Sequence, residues 1–213
     1  PVSVTQATEY GTLYTIDEIA AISDVAGAYN LPVHMDGARF ANALVALGCT
    51  PAEMTWKAGV DAVSFGGTKN GLMGVEAVIF FDPKHAWEFE LRRKRAAHLF
   101  SKHRYLSAQM TGYLKDDLWL ELAGAANAAA SRLERGLRTV REVSFSHVGR
   151  TNMLRPRFPH ALHQRLHENG AVYHMWEGEL KGDDPTEILT ARLVCDWSVT
   201  NAEVDRFIEI ARG

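Results

Sequence analysis

An α/β fold with a mainly parallel sheet, followed by a smaller α+β part, is what the sequence predicts, on three observations. Short apolar strands alternate with amphipathic helices through the first part of the chain, the pattern of a parallel sheet joined by helical crossovers. From Pro83 to about Arg141 the periodicity turns helical for a long stretch. Beyond it, strand and helix patterns return in shorter pieces. A large α/β domain over residues 1–120 and a small α+β domain over 121–213 are therefore expected.

The elements follow in order. VSVT near the start is a strand, and TIDEIAAISDVAGAYN a helix opened by a Thr15–Glu18 capping box, with Ile19, Ile22, Ala26 and Tyr29 on one face. LPVHM is a strand, and ARFANALVALG a helix that Gly48 stops. Thr50, Pro51 and Glu53 open a further short helix. DAVSF and VEAVIFF are strands, AWEFELRRKRAAHLF is one helix, and the Ala-rich run from Leu106 to Val140 is a long one. NMLRPRFP is then a strand, ALHQRLHENG a helix ended by Gly170, AVYHMW and ILTARLVCDW strands, and TNAEVDRFIEIARG a helix with a Thr200–Glu203 capping box.

Composition bounds what such a fold can do. The 213 residues are 46% hydrophobic and 23% charged, with a net charge of −3, enough to bury a proper core. An isoelectric point near 6.3 offers no footprint for nucleic acid or an anionic membrane. The basic run Arg92–Arg95 is a solvated helix face. Two cysteines, Cys49 and Cys195, make no disulfide framework and suggest free thiols in a reducing compartment, the cytoplasm. No stretch approaches a membrane span and no signal peptide is visible. No metal-ligand spacing such as a helical H-x-x-x-H or a C-x-x-C appears.

Chemistry concentrates where two predicted strands end. Asp36 and Arg39 follow one, and Lys69, in the glycine-rich SFGGTKNG, follows the next, about one strand–helix–strand unit downstream. In an open parallel sheet, ligands bind beyond the carboxyl ends of the strands. Taken singly, such an Asp is a helix cap, such an Arg a solvated residue and such a Lys a phosphate contact. Taken together they match pyridoxal phosphate, which needs a lysine amine for its Schiff base and an acid beside its pyridine nitrogen. Gly66 and Gly67 let the backbone come close to a cofactor. The G-x-x-x-x-G-K-[ST] spacing of a P-loop is absent.

HMDGARF followed by SFGGTKNG resembles the low-specificity L-threonine aldolases and the similar phenylserine aldolases, pyridoxal-phosphate enzymes of the aspartate-aminotransferase fold. TEYGTLYTIDEI, RRKRAAHLFSKHRYLSAQM and ARLVCDWSVTNAEVDRFI extend the resemblance over essentially the whole chain. It implies retro-aldol cleavage of a β-hydroxy-α-amino acid (threonine, allo-threonine or phenylserine) to glycine and an aldehyde. Asp36 would pair with the pyridinium nitrogen and Lys69 would hold the cofactor. Arg39 would lie close to the cofactor and help bind the substrate carboxylate, for which Arg192 would be the main partner. Arg104 would reach the phosphate region of a neighbouring subunit, and Thr68 and Ser64 could contact phosphate. A homodimer or homotetramer is implied.

The chain opens at Pro1 in a strand-like stretch. The family's phosphate-gripping turn and ring-stacking His are therefore expected to lie outside this sequence, since neither is identifiable within it. His34, His98 and His103 have structural roles in this reading. The alternatives are another enzyme of the same cofactor and fold, a transaminase or β-eliminating lyase, and a catalytically incomplete fragment of either.

Overall fold

The computed structural model describes residues 1–99 and 101–213. It contains two compact units, Pro1–Ala7 with Leu13–Glu121, and Thr8–Thr12 with Leu122–Gly213.

The first unit holds a four-stranded sheet in the order β1 (Val2–Thr5), β2 (Val33–Gly37), β3 (Ala62–Phe65) and β4 (Ala77–Phe80). The first three strands are parallel and β4 is antiparallel to β3. Helix α1 (Ile16–Ala28) joins β1 to β2, and α2 (Phe40–Leu47) and α3 (Pro51–Met54) lie between β2 and β3. The Thr15–Glu18 and Thr50–Glu53 capping boxes are both formed, each satisfying helix-end amides worth ~1 kcal/mol. Gly48 ends α2 in the left-handed conformation at φ 64°, its N–H donating to the carbonyl of Leu44. Tyr29 departs from the expected apolar face: it is the C-cap of α1, turned out of helical register and 73% exposed.

The long helical stretch is segmented. Helix α4 (Ala86–Arg95) is shorter than its apolar pattern, and Phe100, the end of the predicted helix, lies outside the described residues. Helices α5 (Arg104–Leu114) and α6 (Leu118–Leu137) are separated by a tight turn in which Asp116 and Asp117 have φ of 53° and 58°. Aspartate tolerates that region better than most residues because its short polar side chain can bond locally. Phe40, Phe65, Tyr113 and Trp119 pack around one another, with Phe40 and Phe65 centroids 5.5 Å apart and Phe65 and Trp119 5.7 Å apart. This aromatic cluster underlies the loop that follows β3.

In the second unit every described strand pairing is antiparallel, and all but one involve β9 (Ile188–Val194). The expected NMLRPRFP strand is two strands, β6 (Met153–Leu154) and β7 (Pro156–Pro159), both paired with β9; β5 (Ser144–Phe145) extends the sheet from β7. The interruption falls at Arg155–Pro156, where proline has no N–H to give to a ladder. Strand β8 (His174–Glu177) also pairs with β9, with a register irregularity between Met175 and Glu177. Helices α7 (His160–Glu168) and α8 (Asn201–Arg212) pack on the core built from Leu133, Leu137, Phe158, Leu166, Leu193 and Ile208. The Thr200–Glu203 box caps α8. His163, wholly buried on α7 and stacked on Phe158, is pushed down to a pKa of about 4, chiefly by burial, and is neutral at physiological pH.

Candidate active site

The carboxyl ends of β2 and β3 bring Asp36 and Lys69 onto adjoining loops. In the parallel register Thr5, Asp36 and Ser64 stand opposite one another, a row on one face of the sheet. Asp36 is half-buried, and its Oδ1 accepts the N–H of Ala38 at 2.9 Å, which fixes the carboxylate against its own turn. One row back on the same face, His34 bridges three strands: its Nδ1 lies 2.8 Å from Ser3 Oγ and its Nε2 lies 2.9 Å from Ser64 Oγ. The expected structural role of His34 thus takes a definite form, a cross-strand strut beside Asp36.

The two loops touch through their backbones. Gly66 donates its N–H to the carbonyl of Gly37 at 2.9 Å. A Cβ on Gly66 would stand 2.5 Å from the carbonyl oxygen and 2.7 Å from the carbonyl carbon of Ala38. Glycine is required here for close approach to the Asp36 loop, where the sequence suggested approach to a cofactor. Gly66→Ala is therefore expected to push the loops apart, at a cost of about 1–3 kcal/mol. A urea titration checks this; an unchanged midpoint would contradict it.

Lys69 lies in a single 3₁₀ turn, Thr68–Asn70, closed by Gly71 at φ 112°. The turn is held from two sides by residues that sequence reasoning did not select. The Glu76 carboxylate accepts the N–H of Gly67 at 2.8 Å, the N–H of Thr68 at 3.2 Å and the Thr68 hydroxyl. Buried Asn70 donates its amide to the Tyr113 hydroxyl at 2.6 Å and to the Trp119 carbonyl at 2.9 Å. Burial raises the Tyr113 pKa above its usual value, more than the Asn70 bond lowers it. Lys69 itself is exposed, and among the described residues its amine has no hydrogen bond or ion pair. A rigid turn thus presents a free amine.

The remaining sequence candidates are dispersed. Arg39 occupies the N-cap position of α2 and is buried, only 6% exposed. The Thr68 hydroxyl is spent on Glu76. Arg104 opens α5 on the surface, its guanidinium 5.1 Å from the Tyr105 ring. Arg192 belongs to the second unit, on β9, where its Nη2 lies 4.0 Å from Glu9 Oε2. Asn70 and Glu9 lie within SFGGTKNG and TEYGTLYTIDEI but were not singled out there, and Glu76 lies outside the segments that carry the resemblance, where only its spacing beyond the glycine loop could have drawn attention to it.

Residues 1–157 match the family described as beta-eliminating lyase. The chain is 41% identical over 211 residues to a low specificity L-threonine aldolase of Pseudomonas aeruginosa, covering 99% of this chain and 58% of that protein. It is 40% identical over 203 residues to another of that description from a Pseudomonas species, covering 95% and 56%. The threonine aldolase structure from Leishmania major superposes with a TM-score of 0.88 at 26% identity, covering 99% of this chain and 60% of that one. This sequence therefore spans less than two thirds of the length of the relatives it matches.

Proposed function

The chain belongs to the beta-eliminating lyase family, and from that premise we propose that the protein it comes from cleaves a β-hydroxy-α-amino acid to glycine and an aldehyde, using pyridoxal phosphate. One observation carries the reading: an acid and an amine without a partner among the described residues stand on two loops in backbone contact at Gly66 and Ala38, beyond the ends of parallel strands. That donor set fits pyridoxal phosphate, whose aldehyde takes a primary amine and whose ring nitrogen takes a carboxylate. When bound, the cofactor supplies an electron sink for the pair released as the Cα–Cβ bond breaks.

The chain's own residues do the rest. Lys69 offers its amine from a turn that Glu76 and Asn70 hold still. Asp36 keeps a proton on the ring nitrogen by charge and hydrogen bonding. Arg39 and Arg192 bind the substrate carboxylate, which a guanidinium grips by two parallel bonds, and it is the resemblance to the family that makes Arg192 the main partner. Holding the substrate by that end restricts the orientation of the bond to be broken. Thr68 reaches the phosphate by turning its hydroxyl from Glu76 to donate to it, and Arg104 serves the phosphate region of a second subunit in a homodimer or homotetramer. Domain limits near residue 120 and a cytoplasmic location complete the proposal; Cys49 and Cys195 are both free thiols.

The family description favours one rival, β-elimination. Incubating the full-length protein with L-threonine and pyridoxal phosphate separates the two. Acetaldehyde with glycine supports aldol cleavage; ammonia with a keto acid refutes it in favour of elimination.

A further inference from the structure

Resting on the proposed role of Arg192, we propose that Glu9 is the positioning residue for that guanidinium and that Arg155 holds Glu9 in place. All three residues belong to the second unit. Nothing in the sequence connects them: Arg155 lies 146 residues from Glu9.

Arg155 is the fixed post. It is 5% exposed and sits at the break between β6 and β7. Its Nε donates to the main-chain carbonyl of Glu9 at 2.8 Å, and its Nη2 donates to the same oxygen. Its guanidinium carbon lies 3.3 Å from the centroid of the Trp176 ring and 5.2 Å from that of Tyr10. Stacking on aromatic faces suits a desolvated guanidinium. Trp176 stands at the irregularity of β8, where the strand leaves its register with β9.

The segment carrying Glu9 is also built in from its other end. Thr8 donates its N–H to the Thr12 carbonyl at 3.0 Å, and Gly11 donates to the Thr8 carbonyl at 2.9 Å. The N–H of Arg150 donates to the Gly11 carbonyl at 3.1 Å. Gly11 has φ 75°, and any Cβ there would run into the carbonyl oxygen of Met153. The Glu9 backbone therefore has little freedom, while its side chain remains 52% exposed.

From that base Glu9 Oε2 lies 3.9 Å from Arg155 Nη2 and 4.0 Å from Arg192 Nη2. Arg192 makes no other ion pair and no side-chain hydrogen bond among the described residues. Its long stem would otherwise sample many rotamers; one anion on a fixed backbone biases the guanidinium toward one of them. The separation exceeds a direct charge-assisted hydrogen bond, about 2.7–2.9 Å, so the guanidinium donors stay available for a bidentate partner. Glu9 also offsets the charge of Arg155, which would repel Arg192. The three groups together carry one net positive charge, matched to one carboxylate.

The test uses the full-length protein with its cofactor. Glu9→Gln keeps shape and removes charge on a half-exposed side chain, so the melting temperature is expected to stay unchanged. KM for L-threonine is expected to rise about tenfold, with kcat changed less than about twofold. Glycine affinity, measured by calorimetry, is expected to weaken by the same factor. In an Arg192→Lys background, adding Glu9→Gln is expected to have much less effect, since the two act as a unit. Unchanged or tighter binding by Glu9→Gln, or full additivity with Arg192→Lys, would overturn the assignment. The outcome also separates the two layers of the argument. If Arg192→Lys raises KM and Glu9→Gln does not, only Glu9 loses its role. If Arg192→Lys leaves KM unchanged, the carboxylate-binding role of Arg192 fails, and this inference with it.

Discussion

Lys69→Ala in the full-length protein is expected to lower threonine cleavage by at least about 10³-fold while leaving thermal stability unchanged. The two halves of that expectation have different physical sources. In the proposed function the amine is the group that a cofactor aldehyde would take, and no other lysine stands on the loop following β3. Stability is spared because Lys69 is exposed and its amine has no partner among the described residues. Surface changes of this kind shift folding by no more than about 0.5 kcal/mol. The turn that carries Lys69 is held by Glu76 and Asn70, neither of which the substitution touches. The measurement is steady-state cleavage together with the visible absorbance of the lysine-linked cofactor. Retained turnover would remove Lys69 from the mechanism.

Asp36→Asn is expected to cost about 10²–10³-fold in kcat, again with the fold intact. The amide is nearly isosteric, and its oxygen can still accept the N–H of Ala38 that Asp36 now accepts at 2.9 Å. The strut of Ser3, His34 and Ser64 on the same sheet face is likewise untouched. In the proposed function, what is lost is the negative charge that would keep a ring nitrogen protonated, and with it the electron sink. The absorbance of the lysine-linked cofactor is expected to survive, which distinguishes this variant from Lys69→Ala. A kcat within twofold of wild type would mean that Asp36 only caps its turn.

Local physics made much of this legible in the chain itself. Capping boxes at Thr15, Thr50 and Thr200 and the glycine stop at Gly48 depend on neighbours a few residues apart, and all four form as the spacing predicts. Three elements ran against the pattern. Tyr29 left its face because the helix ended first. The helical run after Leu106 broke at Asp116 and Asp117, whose left-handed backbone no apolar periodicity registers. NMLRPRFP became two strands because β9 offers a partner on either side of the Arg155–Pro156 break.

Asp36, Arg39, Thr68, Lys69, Arg104 and Arg192 were nameable from the sequence because each lies in or beside a short contiguous motif. The alternation of strands and helices likewise determined which side chains follow which strands. Only the tertiary structure decided what supports them. Glu76 under the Lys69 turn, Asn70 on Tyr113, His34 between two serines and Glu9 beside Arg155 and Arg192 are contacts between residues 8 to 183 positions apart. Hydrogen bonds and ion pairs act over a few ångströms in space, and separation along the chain carries no trace of them until the sheet register brings their ends together.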